Sequence, residues 1–322
     1  MILYRWQGSA RNFGDELNTV LWPALLPGYF DDDPAERFLG IGSVLDGRHD
    51  GGGPKLVAGS GYGGYQRPPV LDAAWDIRWV RGPRTARMLR LPESLGLGDP
   101  ASLLPQTRLV PKLKPVRVGF MPHFESAAVG AWDAAAAASG IVLIDPRGDP
   151  LAIAAAIAGC HVLLSEALHG AIVADALGVP WIAIEPLAPI HRPKWHDWAD
   201  TLDLTIRFQR LRPSSLLECA HLSGVASYHA GRGLLDRHAR TLRHAASGWF
   251  LDRAVRSLRQ AAMAPPQLSC RIALGRCQSR MLDELHRLRR VPLHAGRGND
   301  YHALKPPCSE GRLAPEVLSG RN

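Results

Sequence analysis

Short apolar runs alternate with alanine-rich amphipathic segments along the first two thirds of the chain. Residues 1–6, 38–44, 55–58 and 77–80 read as strands closed by Gly-rich turns, and residues 14–25 and 83–89 read as helices. Residues 104–115 carry Pro105, Pro111 and Pro115 among few apolar positions and read as a linker. The pattern then restarts. Residues 116–121, 141–144, 162–164 and 181–184 read as strands, and 125–138, 151–159 and 172–177 as helices, the last stopped by Gly178-Val179-Pro180. Strands regularly separated by helices predict parallel sheets covered on both faces. The expected fold class is therefore α/β, with domains at residues 1–110 and 116–230 meeting across a cleft. From Arg232 the character changes. Leu235, Ala239, Leu242, Ala246 and Trp249 recur at helical spacing between arginines, Pro265-Pro266 interrupts, and residues 272–288 read as a second basic helix. Residues 231–290 are expected to form a basic helical extension, and the Gly-, Pro- and polar-rich 291–322 a disordered tail.

Composition narrows the class. With 322 residues and 46% apolar content the chain can bury a large core. No apolar run approaches the ~20 residues that span a bilayer, and the first residues lack the basic and long apolar regions of a signal peptide. The five cysteines are odd in number, scattered, and never at zinc-site spacing with His. A reduced cytoplasmic protein without structural metal is the expectation. The net charge of +8 is uneven: residues 232–290 hold 13 Arg, no Lys and 4 acids, a local +9, so the rest is near neutral. A basic segment with an apolar stripe suits either packing on the domains or docking on the anionic inner face of the cell membrane; no nucleic-acid partner is expected.

Candidate chemistry collects where strands end. Ser165-Glu166-Ala167-Leu168-His169-Gly170 passes from an apolar strand into a helix. In an open α/β sheet that is where ligands bind, and a helix N-terminus suits an anion. Asn12-Phe13-Gly14-Asp15-Glu16 follows the first strand. Asn12 is a plausible cap and the acids suit a first helical turn, whereas Gly14 is costly in a helix and suggests close approach of ligand or backbone. Gly59-Ser60-Gly61-Tyr62-Gly63-Gly64 formally matches GxGxxG, but Pro68-Pro69 stands where the helix should begin, so a loop passing close to substrate is the better reading. Arg81-Gly82-Pro83-Arg84 puts arginines at a helix start, where the dipole disfavours a cation and a bidentate fork would hold phosphate or carboxylate. His123 and the segment His191-Arg192-Pro193-Lys194-Trp195-His196-Asp197-Trp198 lie beyond two further strands.

Taken in order, these motifs, together with Gly40-Ile41-Gly42-Ser43 and Gly98-Asp99-Pro100-Ala101, resemble the polysaccharide pyruvyl transferases, in particular the bacterial exopolysaccharide ketal-pyruvate transferases, over roughly residues 1–200. The resemblance implies two Rossmann-like domains facing across a cleft, as in GT-B glycosyltransferases. It implies phosphoenolpyruvate as donor, a lipid-linked oligosaccharide as acceptor and a cyclic pyruvate ketal as product. His169, Glu166 and Asp15 are then the acid–base candidates. Arg81, Arg84, Lys194, Gly170 and His123 are expected at the donor, and Asn12, Gly14, Gly59, Gly61, Trp195 and Asp197 at the acceptor or its loops. Ketal formation requires a proton delivered to the donor's methylene carbon and protons taken from two hydroxyls; it demands no metal or nicotinamide cofactor. A nucleotide-sugar glycosyltransferase of the same fold and a non-catalytic scaffold of a polysaccharide assembly complex are the alternatives.

Overall fold

The computed structural model describes residues 1–8, 10–31, 33–111, 115–185, 191–222 and 247–290. Two parallel sheets organise it. The first joins β1 (Ile2–Tyr4), β2 (Arg37–Leu39), β3 (Lys55–Ala58) and β4 (Trp75–Trp79) in that order. The second runs β6 (Val142–Leu143), β5 (Val116–Met121), β7 (Cys160–Ser165), β8 (Trp181–Ile184) and β9 (Phe208–Gln209). Central strands are apolar on both faces, as expected when helices cover both sides: every residue of β3 and β8 is buried.

The helices in chain order are α1 (Phe13–Glu16), α2 (Asn18–Leu25), α3 (Pro83–Met88), α4 (Phe124–Val129), α5 (Trp132–Ser139), α6 (Pro150–Ala158), α7 (Leu168–Leu177), α8 (Arg192–Asp200), α9 (Leu216–Leu222), α10 (Ser247–Ala262) and α11 (Arg271–Arg290). Gly178 ends α7 in the left-handed region at φ 76°, the role its Gly-Val-Pro context predicts. Two single-helix expectations divide. Residues 14–25 break at Leu17, and 125–138 break where Gly130 and Ala131 leave helical geometry.

The first four residues of the expected linker, 104–107, are helical instead. Pro100–Thr107 is a 3-10 helix capped by Asp99, and its Leu103 and Leu104 are fully buried. It packs against α7 and α2, so one apolar cluster runs unbroken from Phe13 and Trp22 beside the first sheet to Leu168 and Trp181 beside the second. The basic helices also join this body. Ala254, Leu258 and Ala261 of α10 pack with Trp132, Ala135 and Ala136 of α5. Leu274, Cys277, Met281, Leu285 and Leu288 of α11 enter the cluster shared by both sheets. Trp249, the last residue of the stripe, is 60% exposed, with the Arg253 guanidinium 4.3 Å from its ring. The stripe at Leu235, Ala239, Leu242 and Ala246, and residues 291–322, lie outside the described residues.

In the second sheet the chain steps from β5 to β6 on one side and then returns to place β7 on the other. The strand order therefore reverses between β5 and β7, and the crevice beyond their C-terminal ends is the topological switch point. Glu166 N–H donates to Met121 O across it at 2.9 Å. His123, at the end of β5, and His169, at the start of α7, flank it.

Candidate active site

A cavity of about 240 Å³ opens at this switch point and is lined from both sheets. Asn12, Gly14, Asp15, Gly42, Ser43 and Arg48 come from the first; His123, Glu125, His169, His191 and Lys194 come from the second. Trp6, Phe13, Tyr65 and Phe124 add aromatic wall. A mostly apolar cleft with a few convergent polar groups is the usual form of a small-molecule site.

Three of the expected residues meet here as one electrostatic unit. Asp15 is buried, and burial raises its carboxyl to about 6 against the opposing pull of His169, the Asn12 hydrogen bond and Lys194. Asn12 does not cap α1; its Nδ2 donates to Asp15 Oδ2 at 2.7 Å. Lys194 is lowered to about 8 by burial and by the nearby Arg81 charge. His169 Nε2 lies 3.4 Å from Oδ2 of the buried Asp99, whose other oxygen accepts from Ala101 N–H. Neither atom forms a hydrogen bond, so Asp99 faces the imidazole as a charge, while Nδ1 lies beside Gly14. The role of Gly14 is now physical. A Cβ at that position would sit 1.9 Å from His169 Nδ1, so only glycine lets α1 and α7 close on the imidazole.

Other expected residues stand elsewhere. Glu166 does not line the cavity: its carboxylate accepts from His123 N–H at 2.8 Å and Ser126 Oγ–H at 2.6 Å, tying β7 to the start of α4. Arg81 is fully buried behind the wall, with Nε 3.0 Å from Asp197 Oδ2, one terminal nitrogen donating to Ser43 Oγ at 2.7 Å and the other to Tyr62 O at 3.2 Å. Its fork is filled by the protein itself. Asp197 also accepts from Thr85 N–H and Oγ1–H, and so pins the first sheet's α3 to the second sheet's α8. Arg84 is at the surface, paired with Asp200. Trp195 is wholly buried against Trp181 and Phe208. Gly59 and Gly61 admit protein rather than ligand: added Cβ atoms would meet Pro100 and the Arg81 guanidinium, both at 2.2 Å. Gly170 allows α7 to approach Ser165 Oγ and Met121 Sδ, which a Cβ would meet at 2.4 and 2.7 Å.

Four contributors were not singled out from the sequence. Asp99 appears there only as part of a family motif. Arg48 lines the cavity with its guanidinium held bidentately by Asp46. Glu125 Oε2 stands between His191 Nε2, at 2.9 Å, and His123 Nδ1, at 3.3 Å. Burial opposes its charge, yet the two imidazoles hold it well below the usual carboxylate range. Tyr65 Oη reaches His191 Nδ1 at 2.9 Å from the first sheet's side.

Comparison with known proteins now bears on this arrangement. Residues 70–186 match the family model described as polysaccharide pyruvyl transferase. The chain is also 35% identical over 317 residues to the succinoglycan biosynthesis protein ExoV of Rhizobium meliloti (strain 1021), an alignment covering 89% of this chain and 98% of the relative. The chain belongs to the polysaccharide pyruvyl transferase family. It is accordingly an enzyme of that type. No solved structure matches the transferase. Among the described residues, no helix is long and apolar enough to cross a membrane.

Proposed function

We propose that the transferase moves the pyruvyl group of phosphoenolpyruvate onto two hydroxyls of one sugar in a lipid-linked exopolysaccharide repeat unit, forming a cyclic ketal and releasing phosphate. The carrying observation is the cavity at the switch point, where Lys194, Asp15 and His169 converge from both sheets. In this reading residues 1–110 and 116–230 are Rossmann-like domains in a GT-B-like arrangement, and the cleft between them is the active site.

The chemistry follows from the charges present. Lys194 and the first turn of α7, which has no side-chain cap, face the donor's phosphate and carboxylate. His169 delivers a proton to the methylene carbon, making C2 electrophilic, with the Asp99 carboxylate 3.4 Å from its far nitrogen. Asp15, ionised near neutral pH, takes the proton of the first hydroxyl as that oxygen bonds C2. Phosphate then leaves C2, and the second hydroxyl closes the ring as its proton is lost. One proton ends on the new methyl group and the other departs with the products. Trp6, Phe124 and Tyr65 offer the flat apolar surface on which a sugar ring can lie. Glu166 and Arg81 serve by holding the walls in place.

A nucleotide-sugar donor fits less well, because about 240 Å³ is small beside the ~300–1,000 Å³ of typical pockets for larger ligands. The acceptor reading also favours work at the cytoplasmic face of the membrane, with the basic outer face of α10 as the contact. The direct experiment is phosphate release from phosphoenolpyruvate with lipid-linked acceptors, alongside thermal-shift protection by phosphoenolpyruvate and by nucleoside diphosphates. Protection by the nucleotides alone, with no acceptor-dependent phosphate release, refutes the proposal.

A further inference from the structure

His123, Glu125 and His191 form a second constellation in the cavity wall that the reaction above does not use. Their nearest donor atoms all lie within 4.8 Å of one another, and all three residues are buried. Nδ1 of His123 and Nε2 of His191 stand 3.3 and 2.9 Å from the same Glu125 oxygen. Such separations are close to those between neighbouring ligands on one ion when each metal–ligand bond is ~2.0–2.2 Å. The backbone fixes the set. His123 is the residue before α4, Glu125 lies in its first turn, and His191 precedes α8, so all three stand at helix starts beyond strand ends of one sheet. The two imidazoles lie face to face, with centroids 4.6 Å apart and planes tilted by 35°.

One ring nitrogen of the cluster keeps no hydrogen bond. His123 Nδ1 is buried, faces Glu125 at 3.3 Å and forms no hydrogen bond. An unmatched ring nitrogen, in a residue only 5% exposed and facing a carboxylate, is the kind of group an ion satisfies. The surroundings suit one. Tyr65 Oη, 2.9 Å from His191 Nδ1, accepts that nitrogen's proton once Nε2 is used for a metal; this outer contact fixes ring and tautomer. Two neutral imidazoles and one carboxylate carry one negative charge. They leave coordination positions open toward the cavity that Lys194 and His169 also line.

We propose that His123 Nδ1, Glu125 and His191 Nε2 bind one divalent first-row transition ion, such as Zn²⁺, Mn²⁺ or Co²⁺, whose open positions face the cavity. Two imidazoles and a carboxylate are a donor set for such ions rather than for Ca²⁺, which prefers all-oxygen ligands. Only the ion's role rests on the pyruvyl-transfer reading: there it meets an oxygen of the anionic donor or of an acceptor hydroxyl. The binding itself does not depend on that reading.

The test uses the full-length chain without a histidine tag, stripped with a chelator, dialysed and titrated with Co²⁺. One equivalent should bind with a saturable visible d–d absorption, and Zn²⁺ should displace it. His123→Ala and Glu125→Gln should each weaken Co²⁺ binding by more than about a hundredfold, beyond the range of outer-contact losses. Tyr65→Phe should weaken it less, within the ~10–100-fold range of outer-contact losses. Replacing the surface residue His161 should change nothing. Glu125→Gln keeps the side-chain shape, and circular dichroism establishes that each variant is folded. Absence of saturable Co²⁺ binding below millimolar concentration, or binding that Glu125→Gln leaves unchanged, overturns the site. Saturable Co²⁺ binding by a protein that releases no phosphate from phosphoenolpyruvate would instead count against the proposed reaction.

Discussion

Gly14→Ala isolates the central geometric claim, because it adds one methyl group and no new chemistry. The new Cβ would lie 1.9 Å from His169 Nδ1 and 2.5 Å from Cε1. That is roughly 1.5 Å inside the ~3.5 Å at which heavy atoms pack comfortably, so the imidazole must move by about that much. His169 has little room, because its far nitrogen already lies 3.4 Å from Asp99 Oδ2. Displacing a proton carrier by an ångström typically costs on the order of 10²-fold in rate. Backbone preference acts the other way, since alanine favours a helical position over glycine by about 0.5–1 kcal/mol. Gly14→Ala should therefore melt within a few degrees of wild type and lose about a hundredfold or more in turnover. Its apparent affinity for phosphoenolpyruvate, set mainly by Lys194, should change little. The assay is acceptor-dependent phosphate release with thermal melting in parallel. His169→Ala should lose ~10²–10⁴-fold. Adding Gly14→Ala to it should cost nothing more, because the two changes act on one atom pair. A folded Gly14→Ala enzyme turning over within threefold of wild type would refute the placement of His169, and so would a double variant much worse than His169→Ala.

Asp15 links activity to stability. Its folded pKa of about 6 lies above the ordinary 3.8, so the folded state holds that proton more tightly than the unfolded chain. Its contribution is fully present below about 3.8 and is lost as pH rises through 6, an effect on the order of 2–3 kcal/mol. Asp15→Asn should thus abolish transfer yet melt above wild type at pH 7.5, with the gap closing toward pH 4; a lower melting point at pH 7.5 contradicts this. In the wild-type enzyme kcat/KM should rise near pH 6 with Asp15 ionisation and fall near pH 8 as Lys194 loses its charge; an alkaline limb unmoved in Lys194→Arg would remove Lys194 from the donor site. Arg81→Met leaves Asp197 buried beside Thr85 without its cation and should cost about 3–5 kcal/mol in urea denaturation. Arg81→Met with Asp197→Leu should recover much of that loss, and a single variant as stable as wild type would show that the pair holds nothing. Trp249, Arg253 and Arg256 on α10, with Arg210 and Arg212 beside them, should bind anionic liposomes in a salt-sensitive manner at about 1 kcal/mol per basic residue; equal flotation with neutral vesicles removes that role.

The layout of the fold was legible because each buried parallel strand is a short apolar run and each helix has a start or stop of its own. The residues of β5 and β8 coincide with the expected runs, and α7 ends at the expected glycine. Prolines misled between residues 104 and 107. A 3-10 helix tolerates Pro100 and Pro105, and the two adjacent leucines, Leu103 and Leu104, gave too little periodicity to betray a buried element. Within the site, residues whose role depends on local backbone were readable: Gly14, Asp15 and His169 sit where helix starts meet strand ends. Partner-dependent roles were not. Arg81 looks like an anion clamp until Asp197, 116 positions away, fills its fork. Glu166 looks like a base until the His123 amide and the Ser126 hydroxyl, 43 and 40 positions earlier, occupy its oxygens. The Glu125–His191 contact spans 66 positions, and no local pattern announces it.

These long-range partners also explain why the cavity can hold charges at unusual protonation states. A buried acid near pKa 6 and an ammonium lowered to about 8 would relax if the walls could separate and admit water. The walls are fastened at two points around the cavity, Arg81 and Thr85 on Asp197 and Tyr65 on His191, and Asp99 stands 3.4 Å from His169 at a third. Each contact joins an element of the first sheet's side to one of the second. The shared apolar cluster beneath them, from Trp22 to Trp181, resists hinge opening at the base. A small donor can enter such a site, but a polymeric acceptor must present its sugar from outside. Trp6, Tyr65 and Phe124 form an aromatic part of the wall suited to that contact. On the proposed reaction, sugar specificity would lie with these aromatics and proton chemistry with Asp15 and His169, so substitutions in the two sets should separate acceptor KM from the rate of donor turnover.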